Sequence, residues 1–120
     1  MSPLSLDFEG VRALRDVPIV VIDDRSVITE VNDEFTRVLG WTRIEAVGQC
    51  VSLIIPSALR DAHHMGFSRF VRTGVSTILG RELPLATIDK TGREFPAMHY
   101  VVGEKKEGTW RFAASIRPTP

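Results

Sequence analysis

Eight residues in the middle third of the chain, Asn32, Phe35, Leu39, Gly40, Trp41, Thr42, Glu45 and Gly48, fall at fixed offsets just after two short apolar runs. No other feature constrains the fold as much. The runs, residues 17–23 and 27–31, have the length and β-branched content of strands, and Asp23-Asp24-Arg25-Ser26 between them has the composition of a hairpin turn. Nearly continuous apolar residues in the first run predict burial on both faces. Asn32 is placed to cap a short helix whose inward residues are Phe35, Val38 and Leu39 and whose stop is Gly40. Pro56 closes the Leu53-Ile54-Ile55 segment, Ser57 starts the longest helix, and Gly74 ends it.

The last third alternates with period two. Leu79, Arg81, Leu83 and Leu85 share one strand face. Phe95, Ala97, His99 and Val101 share a second, and Trp110, Phe112, Ala114 and Ile116 a third, with Lys90-Thr91-Gly92-Arg93 as a hairpin turn. The expected fold class is α+β, a five-stranded antiparallel sheet with helices packed on one face. Pro84 and Pro96 are expected at an edge or bulge, because neither can donate to a ladder. Ahead of the first strand, Asp7 is a candidate cap for a short helix with Phe8, Val11 and Leu14 on one side.

Composition narrows the function. A chain of 120 residues with 43% hydrophobic content supports one core. Fifteen basic residues balance fifteen acidic ones, so there is no basic face for direct nucleic-acid binding. The longest apolar run is too short to span a bilayer and no leader-like segment opens the chain, so the expected location is cytoplasmic, without membrane contact. Cys50 is the only cysteine, which excludes an internal disulfide and a multi-cysteine metal site.

The order of two strands, short helices, a longer helix and three strands, together with the Asn32 to Gly48 pattern, resembles a PAS domain over residues 17–117. Residues 1–16 then form an N-terminal flanking helix and 118–120 a C-terminal tail. The resemblance implies a sensory and signal-transduction module, of the kind found in two-component or transcription-regulatory proteins. Such a module binds a small ligand between the long helix and the sheet and relays its state to a homodimer partner or a downstream effector.

The long helix carries the candidate site. At about 100° per residue, Leu59, His63, Gly66, Phe67 and Phe70 form one stripe, with Arg60, Asp61, His64, Ser68 and Arg72 around the other side. The stripe is expected to face Leu79, Arg81, Leu83, Trp110 and Phe112, an apolar chamber with an imidazole on one wall and a guanidinium on the other. The cofactor-binding candidates are therefore His63, Phe67, Phe70, Leu79, Arg81, Leu83, Trp110 and Phe112.

Residues 55–63, Ile55-Pro56-Ser57-Ala58-Leu59-Arg60-Asp61-Ala62-His63, with Arg69-Phe70 and Ile78-Leu79-Gly80, resemble the corresponding region of haem-binding PAS oxygen sensors. That resemblance implies haem as a cofactor and His63 as its proximal, metal-ligating residue. Some of these sensors also carry an Arg on the facing strand that stabilises bound dioxygen. Counting back from Gly92 puts Leu83 there, whereas anchoring on Gly80-Arg81-Glu82-Leu83 puts Arg81 there. The same helix and strand also resemble those of many PAS domains without a known cofactor. A buried His63 bonded to a neighbour, or an organic-ligand pocket, stays open, as does a ligand-free interaction module with Phe67, Phe70, Trp110 and Phe112 packed in the core. Flavin is disfavoured, because Gly48-Gln49-Cys50-Val51-Ser52-Leu53 lacks the Asn-Cys-Arg context of flavin photoreceptors. No catalytic residues are expected: Asp61 sits away from His63, and no nucleophile elbow or phosphate loop is present.

Overall fold

The computed structural model of the chain describes residues 6–74 and 79–119. One acidic turn and one asparagine organise its first half. The first strand, β1 (Ile19–Ile22), turns into β2 (Ile28–Val31) through a loop in which Asp23 Oδ1 accepts from the backbone N–H groups of Arg25 (2.8 Å) and Val27 (3.0 Å). This is the Asx geometry that makes aspartate a turn former. Asn32 then caps α2 (Asp33–Leu39), accepting from Phe35 N at 3.0 Å. Gly40 ends α2 at φ +85°, where a side chain is strained; an added Cβ would also stand 3.1 Å from Lys90 Cβ. A Thr42–Glu45 capping box opens α3 (Arg43–Ala46).

A 3-10 turn, Val51–Ile54, leads to Pro56. Ser57 starts a second 3-10 turn, Ser57–Leu59, and the long helix α4 runs Arg60–Thr73, closed by Gly74. The remaining strands are β3 (Glu82–Ile88), β4 (Glu94–Lys106) and β5 (Thr109–Pro118). All five join one sheet of order β2-β1-β5-β4-β3, with every paired neighbour antiparallel. Pro84 lies on the edge strand β3, and Pro96 precedes the first β4–β5 pair, Ala97 with Pro118. Pro84 thus sits at an edge, as expected, whereas Pro96 is on an inner strand near the end of its ladder, paired with Ala86, its carbonyl accepting from Thr119 N at 3.2 Å.

Three boundaries differ from the sequence expectation. The first strand is shorter than 17–23. The last runs through Pro118, into the segment expected as a tail. In addition, β3 does not extend back to Leu79 and Arg81: Gly80 adopts φ +74°, its N–H bonds Val101 O at 2.8 Å, and Leu79 makes an isolated parallel bridge to Val101. Ile78, part of the motif read above, lies outside the described residues.

One face of the sheet is covered by α2, α3, α4 and the 3-10 turns, around Val20, Phe35, Leu39, Ile54, Phe70 and Phe112. The other face carries α1 (Phe8–Arg12), capped by Asp7, with Phe8 and Val11 packed on Ile19, Val21, Tyr100, Val102 and Ala113. Strand β1 is consequently buried on both faces, as its unbroken apolar run predicts. Among the described residues no helix is long and apolar enough to cross a membrane.

Candidate functional site

The inward side of α4 meets β5 through aromatic rings. Phe67 and Phe70 each set an edge against Phe112 with centroids 5.4 Å apart, and Phe70 does the same against Trp110 at 4.9 Å. Trp110 and Phe112 stack at 6.0 Å with their planes 10° apart. Edge-to-face pairs of this kind contribute about 0.5–1.5 kcal/mol each beyond area burial. Glycine makes the stack fit: a Cβ at Gly103, opposite Phe112 on β4, would lie 3.1 Å from Phe112 Cε1 and 3.2 Å from Trp110 Cζ3. A glycine inside a strand is a signal of close approach, and the sequence reading passed over it.

His63 is half-buried one turn before Phe67, its ring stacked on Phe67 at 6.1 Å. Its Nε2 lies 3.3 Å from Ser26 Oγ, in the β1–β2 turn. Burial, and secondarily the neighbouring His64, pushes the His63 pKa below its ordinary value, so the ring is neutral at pH 7. His64 is exposed, as the helical arrangement predicts.

The rest of the predicted chamber is not assembled as expected. Arg81 is exposed and lies ahead of β3, outside the strand expected to carry it. Leu83 is half-buried opposite His99, while Leu79 packs at the margin of the core. Leu59 lies in the 3-10 turn and is 45% exposed, so the inward stripe begins at His63. Arg60, expected on the solvent side, folds back instead, its Nε donating to Ser52 O (3.0 Å) and Ile55 O (2.8 Å). Burying the guanidinium stem there ties the 3-10 turn to the start of α4.

A second polar group lies on the core face of β4. His99 Nε2 is 2.9 Å from Oγ1 of the fully buried Thr87, and burial pushes the His99 pKa down to about 4. The pair gives an imidazole kept neutral by burial a hydrogen-bonding partner.

These positions bear on haem. Ligation by His63 needs a ring nitrogen facing a slot wide enough for a porphyrin between α4 and the sheet. Here Nε2 faces a serine hydroxyl, and the α4–β5 space holds Phe67, Phe70, Trp110 and Phe112 in mutual contact. As arranged, the side chains do not fit haem. Among the described residues no group of three or more His, Cys, Asp or Glu side chains is placed to hold a metal ion. Cys50, half-buried in a bridge to Val27, anchors the segment beside β2.

The family model described as the PAS fold matches residues 11–96. The sensor protein FixL of Bradyrhizobium diazoefficiens is 31% identical over 90 residues, which is 75% of this chain. The match spans only 18% of FixL's own length. Among solved structures, the PAS domain of an HTR-like protein from Haloarcula marismortui aligns with a TM-score of 0.69 at 22% identity, covering 87% of this chain and 82% of that one. The PAS domain of a protein from Desulfitobacterium hafniense aligns with a TM-score of 0.72 at 16% identity, covering 92% and 99%. At those identities the solved structures establish the fold, and the family model, covering more than half of the sequence, establishes the kinship: this chain belongs to the PAS family.

Proposed function

We propose that this chain is a sensory and signal-transduction module that works through protein contact, relaying a change in the packing of α4 on the sheet to a second copy or to an effector domain. The observation that carries this reading is the ring cluster of Phe67, Phe70, Trp110 and Phe112, which fills the α4–β5 space with the chain's own side chains. On this reading the sensory domain spans residues 17–117, residues 1–16 flank it, and it acts in the cytoplasm within a larger signalling system.

Strand β5 supplies the route. Trp110 and Phe112 belong to the core under α4, whereas Arg111 between them points to the other face, with its guanidinium 4.1 Å above the Phe8 ring and 3.2 Å from Glu9. Ala113 packs beside Phe8 and Val11. A displacement of the aromatic cluster therefore moves the strand on which α1 rests. Any input with different affinity for the two arrangements shifts the population. A small ligand between α4 and the sheet is the alternative input, and it requires Phe67 and Phe70 to swing out with α4.

Titration of the purified chain with haem, followed by absorption, tests the reading. The expected spectrum shows no sharp Soret band beyond that of free haem, and His63→Ala gives the same result. A sharp band that shifts on reduction and with carbon monoxide, and that disappears in His63→Ala, would overturn the packed-interior reading.

A further inference from the structure

We propose that the groove between the β1–β2 turn and the solvent flank of α4 binds a small carboxylate monoanion that carries an apolar group. The groove has a volume of about 320 Å³, near the lower end for small-molecule sites. It lies outside the α4–β5 interior, and its walls combine two kinds of chemistry. Phe67 and Val71, four residues apart on α4, supply an apolar floor, and Val71 is 41% exposed without a covering group. Arg25 from the turn and Arg72 from the last turn of α4 supply the cations, and Ser26 and Ser68 also line the groove.

Charge selects the class of ligand. Among the described residues, Arg12, Arg37, Arg93, Arg111 and Arg117 each pair with a carboxylate, and no such pair involves Arg25 or Arg72. Asp24 is the one acidic side chain lining the groove, so its two arginines and one aspartate leave one net positive charge. That balance suits a monoanion; a phosphate monoester dianion would bring one negative charge too many. Guanidinium groups bind carboxylates with charge-assisted hydrogen bonds, roughly twice as strong as neutral ones.

The turn wall is already fixed. Ser26 N donates to Asp23 O at 3.1 Å, its carbonyl accepts from Val51 N at 2.9 Å, and its hydroxyl meets His63. Little ordering is then required when a ligand arrives. Phe67 is shared with the interior, 5.4 Å from Phe112, so a molecule resting on its ring presses on the aromatic cluster.

The test is an NMR titration of the ¹⁵N-labelled chain with phenylacetate, run beside neutral phenylacetamide and phenyl phosphate. The expected result is saturable shifts at the amides of Arg25, Ser26, Ser68, Val71 and Arg72. Phenylacetamide should bind about tenfold more weakly, the loss of one charge-assisted bond, and phenyl phosphate, whose second charge the groove does not match, should bind no more tightly than phenylacetate. Arg25→Gln and Arg72→Gln should each weaken phenylacetate by a similar factor, while Arg69→Gln, exposed on α4 but outside the groove, should leave its Kd unchanged. Absence of saturable shifts, equal binding of phenylacetamide, or shifts confined to Phe70, Trp110 and Phe112 would each overturn the proposal. Tighter binding of phenyl phosphate would overturn the monoanion assignment.

Discussion

His63 Nε2 lies 3.3 Å from the Ser26 hydroxyl, so a side-chain contact joins the first turn of α4 to the β1–β2 turn. Ser26 is 2% exposed and sits at φ +67°, in the left-handed region. Ser26→Ala retains that backbone strain and removes only the hydroxyl, and His63→Ala removes the other partner. A double-mutant cycle by urea unfolding should give a coupling of about 0.5–1.5 kcal/mol. Ser26→Gly, which relieves the left-handed strain, should be less destabilising than Ser26→Ala. A coupling indistinguishable from zero would show that α4 is not held to the turn by this pair.

Asn32 uses its whole amide. Oδ1 accepts from Ile19 N (2.9 Å) and Phe35 N (3.0 Å), while Nδ2 donates to Val17 O (2.8 Å) and Leu14 O (3.2 Å). Aspartate caps helices as well as asparagine does, so Asn32→Asp retains the acceptor half and sets a carboxylate against two carbonyls. The expected loss is about 2–3 kcal/mol, read from the urea midpoint. Wild-type stability in Asn32→Asp would mean that the cap alone accounts for the residue.

That asparagine marks where the sequence was legible and where it stopped. Its role as a cap, the stop at Gly40, the Asp23–Ser26 turn and the edge position of Pro84 follow from local backbone chemistry, and each is found where that chemistry predicts. The donor half of Asn32, the Ser26–His63 contact and the Thr87–His99 pair are set by tertiary packing, which no local pattern encodes. Period-two counting ran Arg81 into β3 because it cannot register that Gly80 leaves the strand. Helical geometry misplaced Leu59 and Arg60, the first because it lies in a 3-10 turn, the second because a long side chain can bend back to carbonyls behind it. Of the predicted chamber, the aromatic wall was legible and the opposing guanidinium was not.

His99 makes stability depend on pH in a defined direction. Burial lowers its pKa from the ordinary 6.5 to about 4, so between those values the unfolded chain takes up a proton that the folded chain refuses. The contribution is fully present above pH 6.5 and is lost as pH falls toward 4, to the extent of roughly 3 kcal/mol. His63, also lowered, adds in the same sense. Urea midpoints near pH 7.5 and pH 4.5, taken for wild type and His99→Gln, isolate the term by difference. Equal pH dependence in the two proteins would show that His99 is solvated or protonated in the fold.

Gly103→Ala probes whether the interior is full. The backbone at Gly103 is outside the left-handed region, so alanine brings no torsional penalty, and the whole effect is the contact of its Cβ with the Phe112 and Trp110 rings. Those rings are backed by Phe67 and Phe70 and have little room to retreat. Overpacking of this kind costs about 1–3 kcal/mol. It should also alter the near-ultraviolet circular dichroism of Trp110, and Phe67→Leu in the same chain should recover part of the loss by returning volume. If Gly103→Ala is instead as stable as wild type with its aromatic signal unchanged, the rings have space to move. The α4–β5 region would then be a pocket, and a ligand between helix and sheet would become the better account of the input.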